Sequence, residues 1–200
     1  MSAQPDKIAL FDLDGTLANY SGAMAKALDS LRAPVGPVVD IETEWAQSKE
    51  LPDYIEARMD VIKGSPGFWS KLAVLDDGMA LLHNARRIGF KIHILTKGPR
   101  RTFSAWGEKL QWCHEHLEEP FDVTVTMRKG LVYGTVLVDD YPPYCKQWLK
   151  WRPRGWVIMP TRPYNMDAFK DHPQVFHFNV SHAGQMAAAT ERLQEAFDRG

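Results

Sequence analysis

Short apolar, β-rich runs alternate along this chain with stretches whose apolar residues repeat at helical spacing. The runs are 8–13, 91–96, 123–126, 136–139, 156–159 and 175–178. Between them, Met79, Leu82, Ala85 and Ile88 share a helical face behind Asp76-Asp77-Gly78. Phe103, Trp106, Leu110, Cys113 and Leu117 make a second such face, and Met186, Ala189, Leu193 and Ala196 a third behind Ser181. Alternating β and α predicts an α/β fold, an open parallel sheet doubly wound by helices in the Rossmann-like manner. The alternation breaks between residues 18 and 68, where helical segments around 21–31 and 40–63 are interrupted by Pro34, Gly36, Pro37 and Pro52. This predicts a small helical insertion, 18–68, in a core made of 1–17 and 69–200.

The end of the first run carries the most chemistry. Asp12 and Asp14 follow four apolar residues and precede Gly15-Thr16. Residues two apart on a strand point the same way, with Cα atoms roughly 6.5–7 Å apart. Two carboxylates at the end of a buried strand are costly unless a cation or donors compensate them. DxDG also occurs in calcium loops, but an EF-hand needs further oxygen residues where this chain has Leu10, Ala18 and Ser21. A second pair, Asp139-Asp140, follows the run that begins at Val136. Thr96 closes another run ahead of Lys97-Gly98-Pro99-Arg100-Arg101, a hydroxyl and cations suited to phosphate before a helix N-terminus. In open parallel sheets ligands collect at the carboxyl ends of the strands, and each of these groups falls at such an end.

Composition narrows the field without adding chemistry. Two hundred residues, 44% apolar and 24% charged, describe one ordinary globular domain or a core with a small insertion. A net charge of −1 supplies no field to recruit nucleic acid or an anionic membrane, so strong polynucleotide binding is not expected. Two cysteines, Cys113 and Cys145, make no disulfide framework. Without a signal-peptide pattern or an apolar stretch of about 20 residues, a cytoplasmic, non-membrane protein is expected. His114 and His116 lie two apart on a helix, hence on different faces, and are poor metal partners. No GxxxxGK[ST] loop is present. Nothing in the sequence fixes an oligomeric state.

The order Asp12-Leu13-Asp14-Gly15-Thr16, Leu95-Thr96, Lys129 and Asp139-Asp140 resembles the four motifs of the haloacid-dehalogenase-like (HAD) phosphohydrolases. The resemblance implies a nucleophile at Asp12, an acid/base at Asp14, a phosphate-binding hydroxyl at Thr96 and a neutralising cation at Lys129. Lys129 lies ten residues before Asp139; Arg128 is the fallback, and Lys109 a weaker rival. It further implies Mg²⁺ held by Asp12, the Asp14 carbonyl and Asp140, with Asp139 behind or bound through water. The insertion takes the place of a cap over the active site.

Within that superfamily the layout is most similar to the 5′(3′)-deoxyribonucleotidases, through Phe68-Trp69-Ser70-Lys71-Leu72 and the final run Trp156 to Pro160 leading to Pro163-Tyr164-Asn165. The implied activity is hydrolysis of a small phosphorylated metabolite, a (deoxy)ribonucleoside monophosphate. Phe68, Trp69, Trp45 and Tyr20 are candidates for stacking on a base, or for packing the cap on the core. Lys97, Arg100 and Arg128 are candidates for the phosphate side of the substrate. Two departures fall on the substrate side: Thr96-Lys97-Gly98 stands where those enzymes usually carry Thr-Ser-Pro, and Asp139-Asp140-Tyr141 where they carry Asp-Asp-Arg. A phosphatase of sugar phosphates is the nearest alternative. A polynucleotide-end phosphatase and a non-catalytic binding module are more distant ones.

Overall fold

The computed structural model describes residues 7–32, 38, 40, 41 and 51–199. Six parallel strands form one sheet in the order β3-β2-β1-β4-β5-β6. They are β1 (Ile8–Phe11), β2 (Lys91–Lys97), β3 (Asp122–Thr126), β4 (Val136–Val138), β5 (Trp156–Pro160) and β6 (Val175–Phe178). All six lie where the apolar runs place them, and the fold is the expected α/β, Rossmann-like one.

Alternation along the strands sorts the core into two faces. Ala9, Phe11, Ile92, Ile94, Val136, Val138 and Ile158 point to one face. There they meet α3 (Asp76–Ile88), α4 (Ser104–His116) and α6 (Gln185–Arg199). Leu10, Leu95, Leu137, Val157 and Met159 point to the other, against Cys145 and Trp148 of α5 (Pro142–Leu149). No helical periodicity in the sequence marks α5, which opens on Pro142-Pro143. Proline pre-sets φ for a first helical turn, where its missing N–H costs nothing.

The insertion contributes α1 (Tyr20–Ser30) and α2 (Asp53–Gly64). Asn19 caps α1 by accepting a hydrogen bond from the Gly22 amide at 2.9 Å. The two helices share an apolar cluster of Met24, Leu28, Ile55, Met59 and Ile62. Tyr20 and Phe68 touch both this cluster and the main core. The chain enters and leaves the insertion side by side, with the Asn19 amide on Ala73 O at 2.7 Å and the Leu75 amide on Leu17 O at 2.8 Å. Trp45 lies outside the described residues. Among the described residues, no helix is long and apolar enough to cross a membrane.

Strand order reverses between β1 and β4, which are neighbours although β2 and β3 intervene in sequence. A crevice at the carboxyl ends of two such strands is where open α/β sheets bind ligands. Asp12 follows β1 and Asp139 follows β4, so both acid pairs are delivered there.

Candidate active site

The turn after β1 is built to hold carboxylates at close range. The Asp12 amide bonds Val138 O on β4 at 2.8 Å, which locks the two strand ends together. Asp12 Oδ1 accepts from the Leu13 amide at 2.7 Å and from Lys129 Nζ at 2.6 Å. Lys129 also donates to Asp139 Oδ2 at 2.8 Å, while Asp139 Oδ1 takes the Tyr141 amide at 2.9 Å. Lys129 is almost wholly buried, and its two carboxylate partners hold its pKa above the ordinary lysine value in spite of that burial. It is carried by a short 3₁₀ turn, Lys129–Leu131, after β3.

Asp140 faces the same space from the other side. Thr16 Oγ1 donates to Asp140 Oδ1 at 2.8 Å, and the Tyr164 hydroxyl donates to Oδ2. Ligand oxygens of Asp12, Asp139 and Asp140 all lie within 4.8 Å of one another. Burial is the main cause that raises the pKa of Asp139 and Asp140; Lys129 opposes it at Asp139, and the Asp12 charge adds to it at both. One buried ammonium for three buried carboxylates leaves the group short of positive charge. An oxygen-only donor set of this kind suits a hard divalent cation such as Mg²⁺.

Asp14 belongs to a separate pairing. Its Oδ2 accepts from Lys109 Nζ, which also donates to Thr96 Oγ1 at 3.1 Å and to Lys97 O at 2.8 Å. Asp14 Oδ1 is a buried oxygen without a hydrogen-bond partner. Burial, countered by Lys109 and reinforced by Asp12, raises the Asp14 pKa above the usual carboxylate value. A carboxyl that stays protonated at higher pH is suited to giving a proton. Sequence reasoning ranked Lys109 behind Lys129, yet both are buried ammonium groups paired with the motif carboxylates. The ranking missed Lys109 because its partners are 13 and 95 residues away in sequence.

A cavity of about 280 Å³ opens above these groups, lined by Asp12, Asp14, Gly15 and Asp140 at its floor. Tyr20, Ser21 and Lys63 of the insertion form part of its wall, and Trp69, Lys97, Lys109, Tyr141, Tyr144 and Tyr164 come from the core. Trp69 is 5% exposed, stacked on Tyr20 with centroids 5.5 Å apart and covered by Lys109 Nζ at 4.5 Å. Phe68 packs edge-on against both rings and does not line the cavity. Phe68 therefore takes the packing role, while Trp69 both packs the insertion onto the core and lines the cavity. Arg100 and Arg128 are exposed and line no part of the cavity, as is usual for arginines without a buried carboxylate. Thr96 is fully buried behind Lys109, whereas Lys97 reaches the cavity with its ammonium 5.1 Å from the Tyr144 ring.

A second layer holds this floor in place, and sequence reasoning assigned it no role. Arg162 Nε donates to Gly15 O at 3.0 Å, and its NH1 bonds Asp77 Oδ2 at 2.8 Å in the first turn of α3. Asn165 Nδ2 donates to Asp140 O at 2.8 Å and Pro160 O at 2.9 Å. Gly15 sits at φ +83°, and a Cβ there would lie 2.4 Å from Asp140 Oδ2. Gly15→Ala is expected to cost at least about 1–2 kcal/mol of stability from the left-handed backbone alone. It should lose turnover as well, because Asp140 must give way. Thermal unfolding and phosphate release check the two effects separately.

With that geometry in view, the comparisons with known proteins decide the family. The model of the family described as 5′ nucleotidase, deoxy (Pyrimidine), cytosolic type C protein matches residues 6–178. The chain belongs to this family. It is a HAD-type phosphatase, nucleotidase-like, and its structural relatives are HAD hydrolases. A protein from Lactobacillus delbrueckii subsp. bulgaricus described as a phosphoglycolate phosphatase is 15% identical with a TM-score of 0.59, over 96% of this chain and 98% of that one. A haloacid dehalogenase-like hydrolase from Burkholderia xenovorans is 18% identical with a TM-score of 0.56, over 96% and 99%. A HAD family hydrolase from Deinococcus radiodurans gives 15% and 0.52, over 96% and 97%. At such identities these likenesses show the shared fold. No curated protein matches the chain.

Proposed function

We propose that this phosphatase hydrolyses phosphomonoesters with Mg²⁺ through an aspartyl-phosphate on Asp12, and that its substrate is a nucleoside monophosphate. The observation that carries the reading is the double pairing at the cavity floor. Asp12 is paired with Lys129 at 2.6 Å, while burial raises the pKa of its neighbour Asp14, with Lys109 opposing. A carboxylate beside a buried cation and, two residues on, a carboxyl whose raised pKa suits it to giving a proton are the two groups that displacement at phosphorus requires.

Both hydrogen bonds to Asp12 fall on Oδ1, which leaves Oδ2 to attack phosphorus in line. As the new O–P bond forms, the ester P–O bond breaks and Asp14 gives its proton to the leaving oxygen. Water then attacks the phosphorus of the acyl phosphate, Asp14 takes a proton from it, and the Asp12 carboxylate is restored. Lys129 offsets charge beside the nucleophile, and Lys109 fixes Asp14 against Thr96. Asp12 and Asp140 would hold Mg²⁺ with the Asp14 carbonyl; Asp139, engaged by Lys129 and the Tyr141 amide, would act from behind. When bound, Mg²⁺ supplies charge stabilisation to the phosphoryl oxygens.

The 18–68 insertion acts as the cap in this proposal. Its Tyr20, Ser21 and Lys63 reach the cavity, so the leaving group lies between cap and core. The nucleotide reading rests on the family match. Lys97 and Tyr141, which replace the usual Ser and Arg on the substrate side, both line the cavity. Phosphate release should be measured with Mg²⁺ on deoxy- and ribonucleoside monophosphates, 5′ and 3′, beside common sugar phosphates. The expected result is preference for nucleotides and complete loss with EDTA. Activity on sugar phosphates alone would keep the chemistry and discard the nucleotide, and activity that survives EDTA would remove the metal.

A further inference from the structure

The far end of the sheet carries a second, larger cavity of about 960 Å³. It lies where β4 and β5 begin, beside Gly134-Thr135 and Gly155, whereas Asp139-Asp140 and Arg162 follow the opposite ends of the same strands. Its lining includes Arg152, Arg154 and Arg199, with Tyr133, Trp151 and Trp156, and among the described residues contributes no carboxylate. Among the described residues, none of the three arginines forms a salt bridge.

Rings hold two of these arginines in place of acids. The Arg152 guanidinium lies 5.8 Å from the Tyr133 ring and 5.6 Å from Trp148, and that of Arg199 lies 4.9 Å from Trp156. A guanidinium stacked on a ring keeps its in-plane N–H donors for an anion. Arg152 gives one of its own to Trp151 O at 3.2 Å. Arg192 also approaches Trp156, at 5.4 Å, but is neutralised by Glu195. The turn that bears Arg152 and Arg154 is fixed by Gln174, whose Nε2 donates to Arg152 O, Pro153 O and Gly155 O at 3.2, 3.1 and 2.7 Å. Trp151 and Tyr133 remain 61% and 56% exposed, so ring surface lies open beside the cations.

We propose that this cavity binds a nucleoside phosphate, at a site separate from the catalytic one. The phosphates meet the guanidinium groups of Arg154 and Arg199, and the base stacks on Trp151 or Tyr133. Unpaired arginines alone would suit any phosphate, and exposed rings alone any flat apolar molecule; their juxtaposition in one cavity, whose described lining has no carboxylate, selects a ligand that carries both. A polynucleotide would need a longer basic track than three arginines on a chain of net charge −1.

The indole N–H signals of Trp151 and Trp156 report this cavity, and that of Trp69 reports the catalytic one; Trp→Phe variants assign them. The wild-type protein is titrated with ATP without Mg²⁺, and in parallel with inorganic triphosphate. Saturable movement of Trp151 and Trp156 with ATP is expected, with weaker binding of triphosphate. The double variant Arg154→Glu, Arg199→Glu alters exposed side chains only. It should weaken that response about tenfold or more, with phosphatase turnover and the Trp69 response unchanged. Trp151 and Trp156 signals that stay still, or that move equally in the double variant, overturn the site. Triphosphate binding as tight as ATP overturns the nucleoside part of the assignment. Neither result depends on which phosphoester the catalytic site hydrolyses.

Discussion

Asp12→Asn is expected to abolish phosphate release, by about 10⁴-fold or more, in a protein that still folds. An amide oxygen has neither the charge nor the basicity to displace an ester from phosphorus, so the loss falls on the chemical step and not on affinity. The fold should survive because the amide is isosteric and Asp12 Oδ1 can still accept from the Leu13 amide. Lys129 loses one carboxylate at 2.6 Å but keeps Asp139 at 2.8 Å. In compensation, the Asp12 charge no longer raises the pKa values of Asp14, Asp139 and Asp140. The two effects oppose each other, and a thermal midpoint close to wild type is the expected reading.

A companion variant separates nucleophile from acid/base. In Asp14→Asn, an aryl phosphate with a good leaving group needs little protonation, so Asp12 can still be phosphorylated while water is no longer activated. The acyl phosphate should then accumulate and appear in intact-protein mass spectra as one added phosphoryl group, absent from Asp12→Asn. Full turnover by Asp12→Asn would remove the nucleophile assignment altogether. Phosphorylation of a different residue would move it.

The sheet was legible in the sequence because its central strands are buried on both faces and stand out as apolar runs between amphipathic helices. The residues named from the motifs, Asp12, Asp14, Thr96, Lys129, Asp139 and Asp140, are brought to one end of that sheet because parallel strands deliver their ends together. What supports them was not legible. Arg162 reaches Gly15 across 147 residues, and Thr16 reaches Asp140 across 124. A lone Arg after Pro160-Thr161 carries no local signal of that contact. Lys109 looked like one polar position on an amphipathic helix, and only the placement of α4 over β2 turns it toward Asp14. The same absence of local signal misled in the other direction. Arg100 and Arg128 had suitable charge and position in sequence, but no buried carboxylate draws them in, and both remain in solvent.

Removing the Lys129 charge is expected to have the second large effect, on stability as well as on turnover. Lys129→Met keeps much of the side-chain volume but leaves Asp12, Asp139 and Asp140 buried with ligand oxygens within 4.8 Å of one another and no cation between them. Breaking one side of a buried ion pair typically costs about 3–5 kcal/mol, and here two carboxylates lose the same partner. A marked fall in the metal-free thermal midpoint should follow, with catalysis lost because charge at the phosphoryl group is no longer offset. If the three carboxylates form the Mg²⁺ site, the ion supplies part of the missing charge. Mg²⁺ should then raise the midpoint of Lys129→Met by more than that of wild type; saturation at about 100 times Kd is worth about 2.7 kcal/mol for any single site. Lys109→Met is the contrasting case. Lys109 pairs with Asp14, outside the three-carboxylate group, and Asp14 can relieve its own burial by taking a proton. That variant should lose turnover yet show only the wild-type response to Mg²⁺. Equal Mg²⁺ shifts in all three proteins would mean that the ion does not sit among the carboxylates that Lys129 holds, and the metal assignment would have to be withdrawn.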